Sequence, residues 1–309
     1  MTRSASLKAF AKLNLGLRIL AKRADGYHEL RTVFQTISLA DSLGVSYMAA
    51  RKTEIVVDGT PHIPDNLVER AARILLDHLK LTAKVHFTLK KVIPTGAGLG
   101  GGSTDAAAVL LSLPVLAGKR VPLEVLLKLA AQLGSDIPYF LHGGTTLGLG
   151  RGEELYPLPE VKASKVLLIA PAVHSSTAEA YRDLSAQLTS ESLQPKLSNF
   201  QQQVWLGDTA KPANDFESVI FTRHPELARI RQRLVKLGAG YAAMTGSGSA
   251  IFGVFNSSEA LLQARKALSR EKVFAVSYLS RARYQSSWLR SLQPHVKGAE
   301  WPPVSLYAR

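Results

Sequence analysis

Near the start of the chain Leu13, Leu15, Leu17 and Ile19 alternate with Asn14, Gly16 and Arg18. A period of two marks a half-buried strand. It places Lys12 and Asn14 on one face and Leu13, Leu15 and Leu17 on the other. Asp25-Gly26 supplies a turn, and a second strand is expected from about Leu30 to Leu39. Asn66 then reads as the cap of a helix carrying Leu67, Ala71, Ile74, Leu75 and His78 at helical spacing. Val85, Phe87 and Leu89 form another strand, which leads into a glycine-rich loop from Gly96 to Gly102. A helix should start near Ser103 or Thr104 and run through Ala106 to Leu113. Pro122 opens the next helix and Gly134 closes it, and Gly143 to Gly152 reads as extended.

The segment Pro157 to Lys165 is the expected boundary between two units. Beyond it a strand is expected at Val166 to Ala170, and helices at Thr177 to Leu188, Asp215 to Thr222 and Pro225 to Leu237. Gly246 and Gly248 separate short strands at Tyr241 to Met244 and Ala250 to Phe255. A helix at Ser258 to Ser269 and a strand at Val273 to Leu279 follow. Helices and strands intermix without strict alternation, so the class is α+β. The expected division is 1–158, 163–282 and a basic tail 283–309. That tail holds Pro294, Pro302 and Pro303 and shows little periodicity, so loose order is expected there.

Composition narrows the possibilities. The 309 residues suit two domains, since single cores rarely grow past roughly 250 residues. With no cysteine there is no disulfide, thiolate metal site or cysteine nucleophile, which fits a reducing compartment. The longest apolar run, Ala106 to Ala117, is broken by Ser112 and Pro114 and falls short of a membrane span. Lys8, Lys12 and Arg18 stand where a secretory signal would be apolar, so the cytosol is the expected location. The net charge of +14 attracts anions, whether nucleic acid, acidic lipid or a phosphorylated metabolite.

The loop Pro94-Thr95-Gly96-Ala97-Gly98-Leu99-Gly100-Gly101-Gly102-Ser103-Thr104 is the strongest chemical signal. Glycines let a backbone approach a ligand closely, and a helix start adds a positive dipole end, which together cradle phosphate. The dinucleotide pattern fits Gly96, Gly98 and Gly101, but Pro94-Thr95 intervenes between strand and loop. The P-loop pattern fails, because no Gly-Lys-Ser/Thr ends the run. Five glycines in seven residues exceed what a bare turn needs.

This loop resembles the second motif of the GHMP kinases, and Thr245-Gly-Ser-Gly-Ser-Ala-Ile-Phe252 resembles the third. Ala11-Lys-Leu-Asn-Leu15, Arg23-Ala-Asp-Gly-Tyr-His-Glu-Leu30 and Gly134-Ser-Asp-Ile-Pro138 bring the match closer, to the branch that phosphorylates a cytidine diphosphate sugar alcohol. The correspondence covers roughly Leu7 to Leu279. Ala97 departs from the usual glycine, and the tail lies outside the match.

The resemblance implies a two-domain architecture with the active site in the cleft between domains, and a place in non-mevalonate isoprenoid synthesis. It implies ATP as phosphoryl donor and Mg²⁺ held mainly by phosphates and water. Asp136 becomes the base that takes the hydroxyl proton, and Lys12 the cation that offsets developing charge. Without the resemblance, Asp136 reads as a helix cap and Lys12 as a solvated strand lysine. Tyr27 and His28 become readers of cytosine, with Asn14 orienting the substrate and Tyr181 giving a second aromatic wall. Ser176-x-x-Glu179 is also a capping box, so Tyr181 has a packing role as an alternative. Asn66 is placed near adenine, and Gly246 and Gly248 near the phosphate end of the substrate. The histidines show no metal spacing. The expected partner is the small-molecule substrate, with no nucleic acid and no membrane, in a monomer or homodimer. Two other readings stand beside it: a kinase acting on mevalonate, homoserine or a sugar, and a nucleic-acid-binding module suggested by the net charge, Trp288 and Trp301.

Overall fold

The alternation seen in the first leucines belongs to a much longer strand. The computed structural model describes residues 1–60, 64–162, 164–173, 175–185 and 213–308. In it β1, Arg3–Lys22, pairs antiparallel with β2, His28–Ala49, across the Asp25-Gly26 turn, where Gly26 has φ 83°. The two halves of β2 then serve different neighbours. Residues 42–49 pair with β4, Ala83–Lys90, and residues 32–35 with β5, Thr145–Leu149. With β3, Glu54–Thr60, parallel to β4, and β6, Glu154–Pro157, beyond β5, the order is β3-β4-β2-β5-β6, with β1 also on β2.

A register shift after Asn14 decides which β1 side chains face the site. Lys12 pairs with Thr36 and Asn14 with Phe34, but Gly16 pairs with Val33, so an extra residue bulges from β1 after Asn14. Lys12 and Asn14 share a face as the alternation predicts, whereas Leu17 is turned onto the same cavity instead of joining Leu13 and Leu15.

Helix α1, Leu67–His78, starts at Asn66, whose side chain accepts from the Val68 amide as the sequence predicts. Helix α2, Gly101–Ala117, is buried from Thr104 through Leu116 and, Thr104, Asp105 and Ser112 apart, is apolar over that stretch. It begins earlier than expected. Its cap is Gly100 in a left-handed conformation, φ 70°, and neither Ser103 nor Thr104 caps it. Helix α3, Leu123–Leu133, follows Pro122 and ends at Gly134, and the short α4 spans Tyr139–His142.

The second sheet is antiparallel, in order β10-β7-β9-β8: β7 Lys165–Ile169, β8 Tyr241–Met244, β9 Ile251–Phe255 and β10 Val273–Ser277. Around it lie α5 Thr177–Ser185, α6 Glu217–Arg223, α7 Pro225–Lys236 and α8 Ser258–Ala267. The helix expected over Thr177 to Leu188 is seen through Ser185; residues 186–188 lie outside the described residues. Ala11, Leu13 and Leu15 of β1 pack on Val166, Leu168 and Phe252, joining the two sheets through one apolar layer.

The tail corrects the expectation of loose order. Helix α9 covers Arg281–Leu292, and a 3-10 turn, Gln293–His295, follows. Tyr284, Trp288 and Leu292, four residues apart, form a buried stripe against Phe10 and the first core. Ser305 donates to the Val115 carbonyl at 2.7 Å, and the Arg3 guanidinium stacks 3.7 Å from the Tyr307 ring centre. Trp288 is only 1% exposed. The tail's tryptophans therefore offer no paired stacking platform for nucleic-acid bases.

Candidate active site

Backbone hydrogen bonds first bring the three motif segments together. The Lys12 amide donates to the Leu99 carbonyl at 3.0 Å, tying β1 to the glycine loop. The Ala250 amide donates to the Ala97 carbonyl at 3.3 Å, tying the second sheet to that loop. Glycine is required where they meet: a Cβ on Gly98 would sit 2.1 Å from the Thr245 carbonyl oxygen, and one on Gly100 2.7 Å from the Phe140 ring.

Asn14 is the hub of this junction. Its Oδ1 accepts from Lys12 Nζ at 2.6 Å and from Thr245 Oγ1 at 3.3 Å, and its Nδ2 donates to Thr32 Oγ1 at 2.8 Å. The Asn14 backbone amide in turn donates to Thr245 Oγ1 at 3.0 Å. Lys12 is 3% exposed, and its ammonium lies 3.4 Å from an Asp136 carboxylate oxygen and 5.5 Å from the centre of the Phe34 ring. Asp136 stands in the turn between α3 and α4; its side chain makes no cap bond to α4, which starts after Pro138. Asp136 is thus paired with a lysine rather than occupied as a helix cap.

Lys12, Asn14, Thr32, Phe34 and Asp136 line a cavity of about 340 Å³ together with Gly96, Gly98, Gly100 and Ser103. The loop separates it from a second cavity of about 370 Å³, bordered by Asn66, Lys91 and the run Pro94 through Ser103. Within that run Ala97 and Leu99 bury their side chains in the core, so their backbone forms the wall. Thr104 departs from expectation: it is fully buried in α2, its hydroxyl has no partner among the described residues, and it borders neither cavity. Gly246 and Ser247 line the first cavity, whereas Gly248 backs onto Met244, whose sulfur would be 2.8 Å from an added Cβ.

A third cavity of about 810 Å³ opens from the first past Ser135, Arg151, Thr177 and Tyr181. Tyr27 and His28 lie there. The Arg151 guanidinium covers the Tyr27 ring at 4.6 Å. His28 and Tyr181 stack on each other with centroids 4.7 Å apart, so no base fits between them. Tyr181 lines this cavity together with Tyr27 and backs His28, and Phe216 meets it edge-on at 4.8 Å. His28 Nε2 pairs with Ser185 Oγ at 2.6 Å, and burial and Lys22 hold its pKa below the ordinary value.

Beneath the loop lies a cluster that sequence reading missed. Lys91 Nζ reaches Asp41 at 2.5 Å and Asp105 at 2.7 Å. Burial alone would lower the lysine pKa, but the two carboxylates raise it; burial pushes Asp105 up to about 7. Among the described residues no group of three histidine or acidic side chains forms a metal cage, and no helix is long and apolar enough to cross a membrane.

Residues 66–144 match the model of the GHMP kinase N-terminal domain, and residues 195–273 that of the GHMP kinase C-terminal domain. The chain belongs to the GHMP kinases. This GHMP kinase is 50% identical over 99% of its length to the 4-diphosphocytidyl-2-C-methyl-D-erythritol kinase of Solibacter usitatus (strain Ellin6076), covering 98% of that protein. It is 36% identical over 88% of its length to the enzyme of the same name from Geobacter sulfurreducens (strain ATCC 51573 / DSM 12127 / PCA), covering 97% of it. A crystal structure of 4-(cytidine 5'-diphospho)-2C-methyl-D-erythritol kinase superposes with a TM-score of 0.74 at 35% identity, covering 90% of this chain and 99% of that one. The homoserine kinase of Cytophaga hutchinsonii ATCC 33406, at 18% identity and a TM-score of 0.66, covers 90% of this chain and 95% of its own, and shares the fold. Membership of a kinase family implies ATP use.

Proposed function

We propose that this GHMP kinase transfers the γ-phosphoryl group of ATP to the 2-hydroxyl of 4-diphosphocytidyl-2-C-methyl-D-erythritol, a step of non-mevalonate isoprenoid synthesis. The observation that carries this reading is the Lys12–Asp136 pair at 3.4 Å, in a cavity that a single glycine loop separates from a second. The two sheets are read as the cores of two domains, 1–158 and 163–282, with the reaction in the cleft between them.

The second cavity is read as the nucleotide side. The backbone amides of the loop and the N-terminus of α2 face phosphate there, and Asn66 borders the space assigned to adenine. Tyr27, His28 and Arg151 border the third cavity, assigned to the cytosine end. Gly246, Ser247 and Thr177 lie between the cytosine and reacting ends, a run suited to the substrate's diphosphate.

Phosphoryl transfer asks a protein for position and charge rather than covalent chemistry. The Asp136 carboxylate accepts the hydroxyl proton as the oxygen attacks the γ-phosphorus and ADP departs. Lys12, aimed by Asn14, offsets the negative charge gathering on the transferred group. Mg²⁺ would be carried mainly by phosphate oxygens and water, and Ser103, which borders both cavities, is the loop hydroxyl that would help to hold it. When bound it neutralises phosphate charge.

The test is product analysis. With ATP and the cytidyl substrate, phosphorus NMR should show one new phosphomonoester on the 2-oxygen, with ADP formed in equal amount. A phosphate placed elsewhere, or ADP released without a phosphorylated product, overturns the reading.

A further inference from the structure

The end of α4, the four-residue helix that follows Asp136, is held by side chains of the C-terminal segment. A helix leaves its last carbonyls without intrahelical partners, and Phe140 and Leu141 are fully buried, where unpaired carbonyls are costly. The Tyr139 carbonyl takes the Gly143 amide at 2.9 Å. Each of the next three receives a side chain from the C-terminal segment. Tyr284 Oη donates to the Phe140 carbonyl at 2.5 Å, Trp301 Nε1 to Leu141 at 2.9 Å, and Gln285 Nε2 to His142 at 3.4 Å.

The same short helix touches both sides of the reacting centre. The Phe140 ring packs against Gly100 of the loop. Tyr139 Oη pairs with Thr36 Oγ1 at 2.7 Å, and Thr36 is the strand partner of Lys12. We infer that Tyr284, Gln285 and Trp301 are positioning residues: the C-terminal segment braces α4 and thereby holds Asp136 against Lys12. This rests on the proposed catalytic role of Asp136. The role is positional, since none of the three side chains borders the reaction cavity. Displacement of a reacting group by about 1 Å can lower turnover by roughly 100-fold.

The experiment combines hydrogen exchange and steady-state kinetics on the full chain carrying Tyr284→Phe and Trp301→Phe, which keep aromatic bulk and remove the donors. Exchange over residues 137–143 should quicken at least tenfold, and kcat should fall at least tenfold with KM for ATP within twofold. Tyr307→Ala, which frees the Arg3 contact farther along the tail, should change neither. Trp301→Phe alone gives the same reading, in smaller measure, if the double variant does not fold. Unchanged exchange over 137–143 overturns the brace, as does faster exchange with unchanged kcat. An Asp136→Asn enzyme of near-normal kcat, beside the expected exchange response, instead overturns the catalytic role on which the link to turnover rests.

Discussion

The ammonium of Lys12, almost wholly buried on β1, lies 3.4 Å from the carboxylate of Asp136, which the turn between α3 and α4 presents with its side chain one-third exposed. In the proposed reaction a buried cation beside a partly open carboxylate suits proton acceptance, the carboxylate being open to substrate while the lysine stays fixed. Replacing either should leave the fold largely intact. Asp136→Asn and Lys12→Met are each expected to lower kcat by at least about 100-fold, measured by ADP release, with circular dichroism unchanged.

Asn14 connects Lys12 to Thr245 across the junction of the two sheets and is itself buried. Asn14→Ala strands a buried ammonium and two hydroxyls without that partner. Urea unfolding should show a loss of about 1–3 kcal/mol, and kcat should fall as Lys12 loses its aim. Asn14→Asp, which keeps the acceptor, should recover more stability than alanine does.

The glycines of the loop are not equivalent. A Cβ on Gly100 would strike Phe140 and its φ of 70° disfavours other residues, so a valine there disturbs the fold and says little about nucleotide. Gly102 borders the second cavity, proposed to hold the nucleotide, and a Cβ there makes only an ordinary 3.5 Å contact with Leu67. Gly102→Val should therefore raise KM for ATP at least tenfold while thermal melting moves little.

Asp105 gives the stability a pH signature. Its carboxyl, raised by burial from 3.8 to about 7 beside Lys91 and Asp41, holds a proton in the folded state that the unfolded chain releases. Folding then binds protons between those values, and this group's contribution to stability falls as pH rises through that window. Asp105→Asn should flatten the dependence of Tm on pH between about 4 and 7. An undiminished slope would place the titration elsewhere.

Much of the site was legible because local pattern and motif agree. The period of two put Lys12 and Asn14 on one face, Asn66 capped its helix as read, and the glycine run marked the loop. Leu17 escaped because a bulge after Asn14 is set by strand pairing, which alternation does not record. The Asn14–Thr245 bond and the Lys91 cluster escaped because they join residues far apart in sequence. The stacking of His28 on Tyr181 escaped because it depends on how α5 meets β2. The tail was misread for a different reason: Tyr284, Trp288 and Leu292 do form a helical stripe, but prolines and basic residues around it obscured the period.

The most direct test of the account compares kcat/KM for the cytidyl substrate, mevalonate and homoserine in a coupled ADP-release assay, with the Asp136→Asn enzyme alongside. A preference for the cytidyl substrate of at least about 1,000-fold is expected, with nearly all of its turnover lost in the variant. Comparable turnover of mevalonate or homoserine, or an unimpaired variant, would contradict it.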